Sequence, residues 1–290
     1  MKIYQGNSFA NVYKDLLRDL LHSPEYICSP RGMEIREITD CSLVIEDPSL
    51  AMYENERRST QEKYIAAEFL WYFAGRNDLG FIERFAKFWQ NVANEDGTLN
   101  SAYGNLIFTK KNEHNISQWE WAYNSLVEDK DTRQAIMHFN MPEHQRKGNK
   151  DFVCTLTGIF QIRENKLNFT INMRSNDAIL GTPTDIPFFC VLQIQMLELL
   201  KSEYPDLELG TYTHFAHSLH IYERHFSLVE EMLKNGNFIA KKLPKIDQTL
   251  IYKSGKPNEK VLEMIDKIEN DNSDLVSTGE IFGWIHQHIF

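Results

Sequence analysis

The sequence predicts a single α/β (α+β) domain with a large mixed β-sheet flanked by helices, and three observations carry that expectation. Two apolar-polar alternating runs meet at "ENK": Phe152, Cys154, Leu156, Gly158, Phe160 and Ile162 share one face, and Leu167, Phe169, Ile171 and Met173 share the next. That pattern spells a β-hairpin. Apolar residues recur at helical spacing in several other stretches. The two kinds of segment interleave without the regular spacing of βαβ units, so a mixed sheet is expected rather than a doubly wound one.

In chain order, residues 8–21 read as a helix and "MEIREITDCSLVIEDP" as one or two strands. "RRSTQEKYIAAEFLWYFAG" has a broad apolar side made of Tyr64, Ile65, Phe69, Tyr72 and Phe73, with Ser59 or Thr60 as cap and Gly75 as stop. Glu68 stands among those aromatic residues. A second helix is expected over "GFIERFAKFWQNVA", a loop over "NEDGTLNSAYG" and a third helix over "QWEWAYNSLVED". After the hairpin and "GTPTDIP" a long helix should run to about Glu203, stopped by Pro205. "THFAHSLHIYERHF" should return as a strand that leads into a helix. No composition shift marks an internal boundary. Residues 1–253 form the expected catalytic domain, and residues 254–290, with "NEKVLEMIDKIEN" and the apolar "IFGWIHQHIF", form a helical C-terminal extension packed on it.

With 290 residues, 42% of them hydrophobic and only 14 Gly and 9 Pro, the chain has enough apolar surface for one large core. Its formal charge of −10 disfavours nucleic acid as a partner, which needs a basic face, so an anionic ligand must be held by a local cluster of arginines. The run "DIPFFCVLQIQMLELL" is broken by two glutamines and a glutamate, and no membrane span is expected. Four cysteines without CxxC spacing, and an N-terminus without an apolar signal region, point to a reduced, cytoplasmic protein.

No GxGxxG, GxxxxGK[ST], HExxH or GxSxG occurs, so the search for chemistry narrows to cysteine. Cys154 alone argues little, because a free strand cysteine is more often a small buried hydrophobe. Arg174, on the polar face of the partner strand, favours a nearby thiolate, binds an anion, or forms a strand-edge ion pair. Glu68 among aromatics would be desolvated and its pKa raised, which suits proton transfer, unless it turns to solvent. Asp185, just before Ile-Pro, reads as a helix N-cap. His220 and Tyr222 read as packing residues with a satisfied polar tip. Residue chemistry therefore stops at a cysteine-dependent enzyme acting on a small anionic ligand.

Six segments stand in order between about Pro30 and Pro244: "AEFLWYFAG", "FWQNVANEDGTLNSAYG", "DKDTRQ", "RSNDAILGTPTDIP", "HIYERH" and "LPK". Together they resemble the thymidylate synthase family. The resemblance implies a homodimer formed through the sheet with active sites shared between subunits, a small-molecule pyrimidine nucleotide as substrate, and 5,10-methylenetetrahydrofolate as cofactor. It implies that Cys154 is the nucleophile at C6 of the pyrimidine and that Glu68 organises water and proton transfers around the ring. By the same resemblance Arg31, Arg174 and Ser175 bind the 5′-phosphate together with an Arg133 from the second subunit. His220 and Tyr222 hold the sugar, and Asp177 and Gly181 line the ring. Trp89, with Asp177, faces the folate, and Tyr103 faces the reacting carbon.

Three positions depart from the synthase pattern. Thr155 follows the nucleophile where synthases carry histidine, Gln134 replaces the second arginine of a pair, and Asp185 stands where synthases carry the asparagine that reads uracil. Uracil offers an N3–H donor and an O4 acceptor, which an amide matches. Cytosine reverses both, and a carboxyl group that accepts from N4–H and shares a proton with N3 matches it. Within the family this wording is most similar to the phage deoxycytidylate 5-hydroxymethylases, which implies water attack on an exocyclic methylene and action in a bacterial or phage-infected host cytoplasm. A dCMP 5-methyltransferase and a CMP hydroxymethylase share the same residues. A thymidylate synthase acting on dUMP conflicts with Asp185, and an inactive binding subunit conflicts with the presence of Cys154 and Glu68.

Overall fold

The computed structural model describes residues 1–274 and 279–290. Its elements begin with β1 (Lys2–Gly6), α1 (Phe9–His22), β2 (Tyr26–Cys28), β3 (Ile35–Ile45), β4 (Met52–Glu54), α2 (Glu62–Phe73), α3 (Leu79–Ile82), α4 (Trp89–Val92) and α5 (Gln118–Glu128). They continue through β5 (Ile136–His138), β6 (Thr155–Arg163), β7 (Lys166–Met173), β8 (Asn176–Asp177), α6 (Thr182–Leu200) and β9 (Glu208–Tyr222). The chain ends with α7 (Phe226–Asn235), β10 (Ile239–Lys241), α8 (Glu259–Glu269) and α9 (Glu280–Ile289). The chain divides into two compact units, one of residues 1–61, 166–193 and 208–243, the other of residues 62–165, 194–207 and 244–290.

The first unit is a mixed sheet. β3 pairs with β1 in parallel and with β9 and β2 antiparallel, while β7 and β8 lie parallel to β9. α1 starts where Ser8 accepts from the Asn11 N–H, and its buried stripe of Phe9, Val12, Tyr13, Leu16, Leu17 and Leu20 has the i, i+3, i+4, i+7 spacing of a helix laid on a core. Tyr13 stacks on Phe9 at 4.8 Å and approaches Tyr53 at 5.0 Å, and its hydroxyl donates to the Ala178 carbonyl at 2.7 Å. That bond anchors the turn after β8.

In the second unit α2 is buried from Ile65 to Phe73, as expected of a helix that is apolar all round. The C-terminal helix α9 packs on it. Trp284 lies 6.1 Å from the Phe69 ring and donates to Glu62 at 3.2 Å, and His288 reaches the same carboxylate at 3.0 Å. β5 and β6 pair antiparallel, with α5 against them.

The hairpin turn has the expected chemistry. Glu164 and Asn165, the two residues between β6 and β7, both take positive φ (50° and 59°), the signature of a type I′ turn. Four expectations need correction. Ser59 and Thr60 do not cap α2, because their hydroxyls bond the backbone of Asn55 and Tyr53 in the preceding turn. The helix expected over residues 80–93 is two single turns, α3 and α4, since its apolar residues do not share one helical face: Phe81, Ile82 and Trp89 are buried while Phe88 is 61% exposed. Cys154 lies just before β6 rather than within it. The carbonyls of Asp151 and Val153 are taken by the side-chain amides of Asn100 (2.9 Å) and Asn140 (2.7 Å), which replaces the strand ladder there. Finally α6 begins at Thr182, so Asp185 is inside its first turn.

Candidate active site

In the first unit the sequence-predicted residues gather around the loop from β7 to α6. The register of β8 on β9 sets Asp177 beside His220 and Asn176 beside Leu219, and the Ala178 N–H donates to the His220 carbonyl at 2.8 Å. Arg174 and Ser175 lie between β7 and β8. Asp177 folds back as an Asx turn, its Oδ1 accepting from the N–H groups of Ile179 (2.8 Å) and Leu180 (3.1 Å). The His220 ring meets Tyr222 edge to face at 5.1 Å, and Arg224 covers the Tyr222 ring at 4.5 Å. Burial pushes the His220 pKa down, with Asp177 and Glu37 opposing that shift and Arg31 adding to it. Arg31 itself is exposed and holds a left-handed conformation at φ 56°, a placement that costs a non-glycine residue some strain.

Asp185 is not an N-cap. Its own N–H donates to the Gly181 carbonyl at 2.9 Å, as in any helical turn, and its Oδ2 accepts from Asn176 Nδ2 at 2.8 Å. The Asn176 Oδ1 in turn accepts from the Thr182 hydroxyl and faces His214 Nε2 at 3.2 Å, and His214 Nδ1 faces the Tyr212 hydroxyl at 2.9 Å. Desolvation raises the Asp185 pKa from 3.8 to about 7, against the Asn176 bond, which lowers it. Gly181 is required by this packing, because a Cβ there would stand 2.8 Å from Asn176 Nδ2 and 3.3 Å from Asp185 Oδ2.

In the second unit a different cluster surrounds Glu68. Glu68 is 4% exposed, and its Oε1 accepts from the hydroxyls of Tyr64 (2.8 Å) and Tyr72 (3.2 Å). These are the residues one helical turn to either side, i−4 and i+4. Trp89 Nε1 donates to the Tyr64 hydroxyl at 3.1 Å, and the Tyr103 ring stacks on Tyr72 at 5.3 Å. Gly104 lets that stack form: a Cβ would come within 1.7 Å of the Tyr72 carbonyl oxygen. Asp151 holds the Ser101 backbone at 2.7 Å and also its hydroxyl, tying the loop that carries Cys154 to the segment that carries Tyr103. Cys154 is partly exposed, and among the described residues the neighbouring Thr155 hydroxyl is buried without a partner. A polar atom so placed costs stability unless a ligand or water meets it. Arg133 is exposed beside a surface pocket of about 460 Å³ that also involves Asp129, Asp131, Thr132 and Gln134.

The sequence reading missed Asn176, Thr182, Tyr212 and His214 in the first unit and Tyr64 and Tyr72 as partners of Glu68 in the second. The tyrosines had a usable signal, since four-residue spacing from a mid-helix carboxylate puts them on its face. Among the described residues no cluster of three or more His, Cys, Asp or Glu is placed to hold a metal ion, and no helix is long and apolar enough to cross a membrane.

The thymidylate synthase family model matches residues 11–267. The chain belongs to the thymidylate synthase family. The thermostable thymidylate synthase A from Bacillus subtilis has a similar fold, with a TM-score of 0.66 at 18% identity over 82% of this chain and 87% of that one. Deoxycytidylate 5-hydroxymethyltransferase of Enterobacteria phage T4 is 31% identical over 240 residues, 77% of this chain and 90% of that protein. The protein of the same name from phage T6 is 30% identical over 74% of this chain and 87% of its own length. Deoxyuridylate hydroxymethyltransferase of Bacillus phage SP01 is 28% identical over 77% of this chain and 59% of that protein. As a member of this family the chain is an enzyme, a one-carbon transferase.

Proposed function

We propose that the enzyme transfers a one-carbon unit to C5 of deoxycytidylate and releases 5-hydroxymethyl-deoxycytidylate. The observation that carries this reading is Asp185, an acid whose pKa burial lifts to about 7 and whose Oδ2 is held by an amide N–H. Near neutrality such a group exchanges a proton readily, so it can accept from cytosine N4–H while sharing a proton with N3. Uracil in the same pose would be matched only by an acid that carried its proton on Oδ2, where the Asn176 amide already donates. The names of the phage T4 and T6 relatives support the same substrate.

In this reading the Cys154 thiolate adds to C6 of the base, giving C5 carbanion character. Methylenetetrahydrofolate supplies the one-carbon unit. Trp89, with Asp177, faces the folate, and the exposed Phe88 beside Trp89 offers an apolar edge to it. Glu68, oriented by two tyrosine hydroxyls, relays protons at the base, and Tyr103 stands near the reacting carbon. C5 bonds the one-carbon unit and gives up its proton, the carrier nitrogen leaves as an amine, water rather than hydride adds to the resulting exocyclic methylene, and loss of the Cys154–C6 bond restores the ring double bond and releases the product. Arg31, Arg174 and Ser175 bind the phosphate with Arg133 of a second subunit in a homodimer, His220 and Tyr222 hold the sugar, and Asp177 and Gly181 line the ring. Residues 254–290 serve as an extension to the 1–253 catalytic part, bracing the glutamate helix through Trp284 and His288. The setting is the cytoplasm of a bacterium or of a phage-infected host.

A second reading, hydroxymethylation of dUMP, is favoured by the name of the phage SP01 relative. Incubating the full chain with methylenetetrahydrofolate and either dCMP or dUMP, and weighing the nucleotide product, decides between them. A hydroxymethyl gain on dCMP is the expected result. A methyl gain, or a preference for dUMP, would overturn the proposal.

A further inference from the structure

The Asp185 carboxyl is the last member of a hydrogen-bonded chain that runs from β9 through β8 into α6. Tyr212 and His214 alternate on one face of β9 and are buried, and Asn176 and Thr182 are buried with them. Each contact lies at hydrogen-bond distance, and His214 is buried so deeply that its pKa falls to about 3, which keeps it neutral. A neutral imidazole donates from one nitrogen and accepts at the other.

The direction of the chain follows from its ends. Ionised Asp185 can only accept, so the Asn176 NH2 must face it, and the Asn176 oxygen must face the other way. That oxygen then needs donors. The Thr182 hydroxyl is one, and His214 becomes the second by carrying its proton on Nε2, which leaves Nδ1 to accept the Tyr212 hydroxyl. Every group is then satisfied with a single polarity, as a buried network requires. Reversing it would need the amide, the imidazole tautomer and the tyrosine hydroxyl to turn together.

The consequence falls on Asp185 when it takes up a proton. Oδ2 already accepts from Asn176, which favours it as the carbonyl-type oxygen, so the proton belongs on Oδ1. We propose that Tyr212, His214 and Thr182 are positioning residues that lock the Asn176 amide and thereby assign the two oxygens of Asp185 fixed and different roles, Oδ2 as acceptor and Oδ1 as proton carrier. This rests on the cytosine reading above. Cytosine presents an acceptor at N3 and a donor at N4, and an acid with one fixed acceptor and one fixed donor matches it, whereas an acid free to swap roles discriminates less.

The test measures kcat/KM for dCMP and for dUMP, with methylenetetrahydrofolate, in the full-length wild type and in His214→Met, His214→Gln and Tyr212→Phe, with thermal melts as a check on folding. Methionine fills the imidazole space without a donor, whereas the glutamine amide reaches about as far as Nε2 and can donate to Asn176. In His214→Met the dCMP preference should fall at least ~10-fold, the scale at which a mis-set buried polar partner affects discrimination. Tyr212→Phe should shift it in the same direction, and His214→Gln should restore it to within ~3-fold of wild type. If His214→Met does not fold, Tyr212→Phe, which removes one hydroxyl, carries the test alone. Folded variants that keep the wild-type ratio, or a glutamine variant that behaves like methionine, would overturn the positioning role while leaving the cytosine reading in place. A wild type without dCMP preference would overturn the cytosine reading and this inference with it.

Discussion

Replacing Asp185 by asparagine tests two consequences of its burial at once, stability and substrate choice. The acid titrates near 7 in the folded chain and at 3.8 when unperturbed, a rise of about three units. At about 1.4 kcal/mol per unit the ceiling on the cost of ionised Asp185 is ~4 kcal/mol, and its residual contact with solvent brings the working figure to ~2 kcal/mol. An acid whose folded pKa lies above its unfolded pKa binds more protons when folded, so wild-type stability falls as pH rises from about 4 to about 7 and is level above that. Asp185→Asn removes this dependence while keeping the Asn176 bond, since an amide oxygen can replace Oδ2. The variant should therefore match wild type near pH 4 and exceed it at pH 8 by ~2 kcal/mol, about 3 °C in Tm for a chain of this length. With its oxygen held by Asn176, the introduced amide turns its NH2 toward the ligand, where uracil O4 can accept it. The variant should lose dCMP turnover and gain dUMP turnover, with a swing in relative kcat/KM of order 10². Melts across the pH range and paired kinetics on both nucleotides read the two effects. A stability difference that does not change with pH refutes the buried acid, and an unchanged kcat/KM ratio refutes the base-reading role.

Further outcomes follow from the rest of the candidate site. Cys154→Ala should abolish tritium release from C5 of labelled dCMP while leaving nucleotide binding, read by equilibrium dialysis, largely intact; residual exchange at a substantial rate would remove the nucleophile assignment. Glu68→Gln should slow turnover at least ~100-fold with the melt preserved, and Tyr64→Phe should produce a smaller loss of the same kind because it removes one of the two hydroxyls that orient Glu68; a near-normal rate in Glu68→Gln would leave the carboxylate a packing residue. Mixed Cys154→Ala and Arg133→Ala subunits should regain activity through hybrid dimers with one intact site, and no regain despite demonstrated subunit exchange would count against Arg133 acting across subunits. Gly104→Ala should destabilise the fold by several kcal/mol, because its methyl group would strike the Tyr72 backbone; an unchanged Tm would show that the Tyr103 segment is free to move.

Much of the fold was legible because its periodicities are strong. α1, α5 and α8 carry the helical spacing seen in their sequences, and the hairpin turn is announced by alternation on both sides of "ENK". What misled the reading was local competition for hydrogen bonds. Ser59 and Thr60 look like caps by composition, but their hydroxyls are already engaged by the Asn55 and Tyr53 backbone. The alternation through Phe152 and Cys154 looks like strand, but the backbone carbonyls at Asp151 and Val153 go to side-chain amides fixed elsewhere in the unit. Side-chain competition of this kind leaves little trace in residue spacing.

The candidate site was legible in a different way, through the wording of its segments, and what the wording hid is physically the most informative part. Asp185 has the same sequence signature whether it caps a helix or reads a base, because the choice depends on where the helix begins. The structure starts α6 at Thr182, which takes the N-cap role away and turns the carboxyl toward Asn176. A desolvated acid held by one amide lowers the stability of the free protein at neutral pH, so its packing is not explained by folding alone, and groups so placed are characteristic of functional sites. The residues that continue the hydrogen-bonded chain behind Asn176, His214 and Tyr212, are invisible to motif reading. They sit in an alternating strand where a histidine and a tyrosine look like ordinary core, and only the side-chain contacts of the folded chain join them to Asn176. If Asp185 reads the base, its specificity rests on the chain of donors behind it as much as on the carboxyl itself.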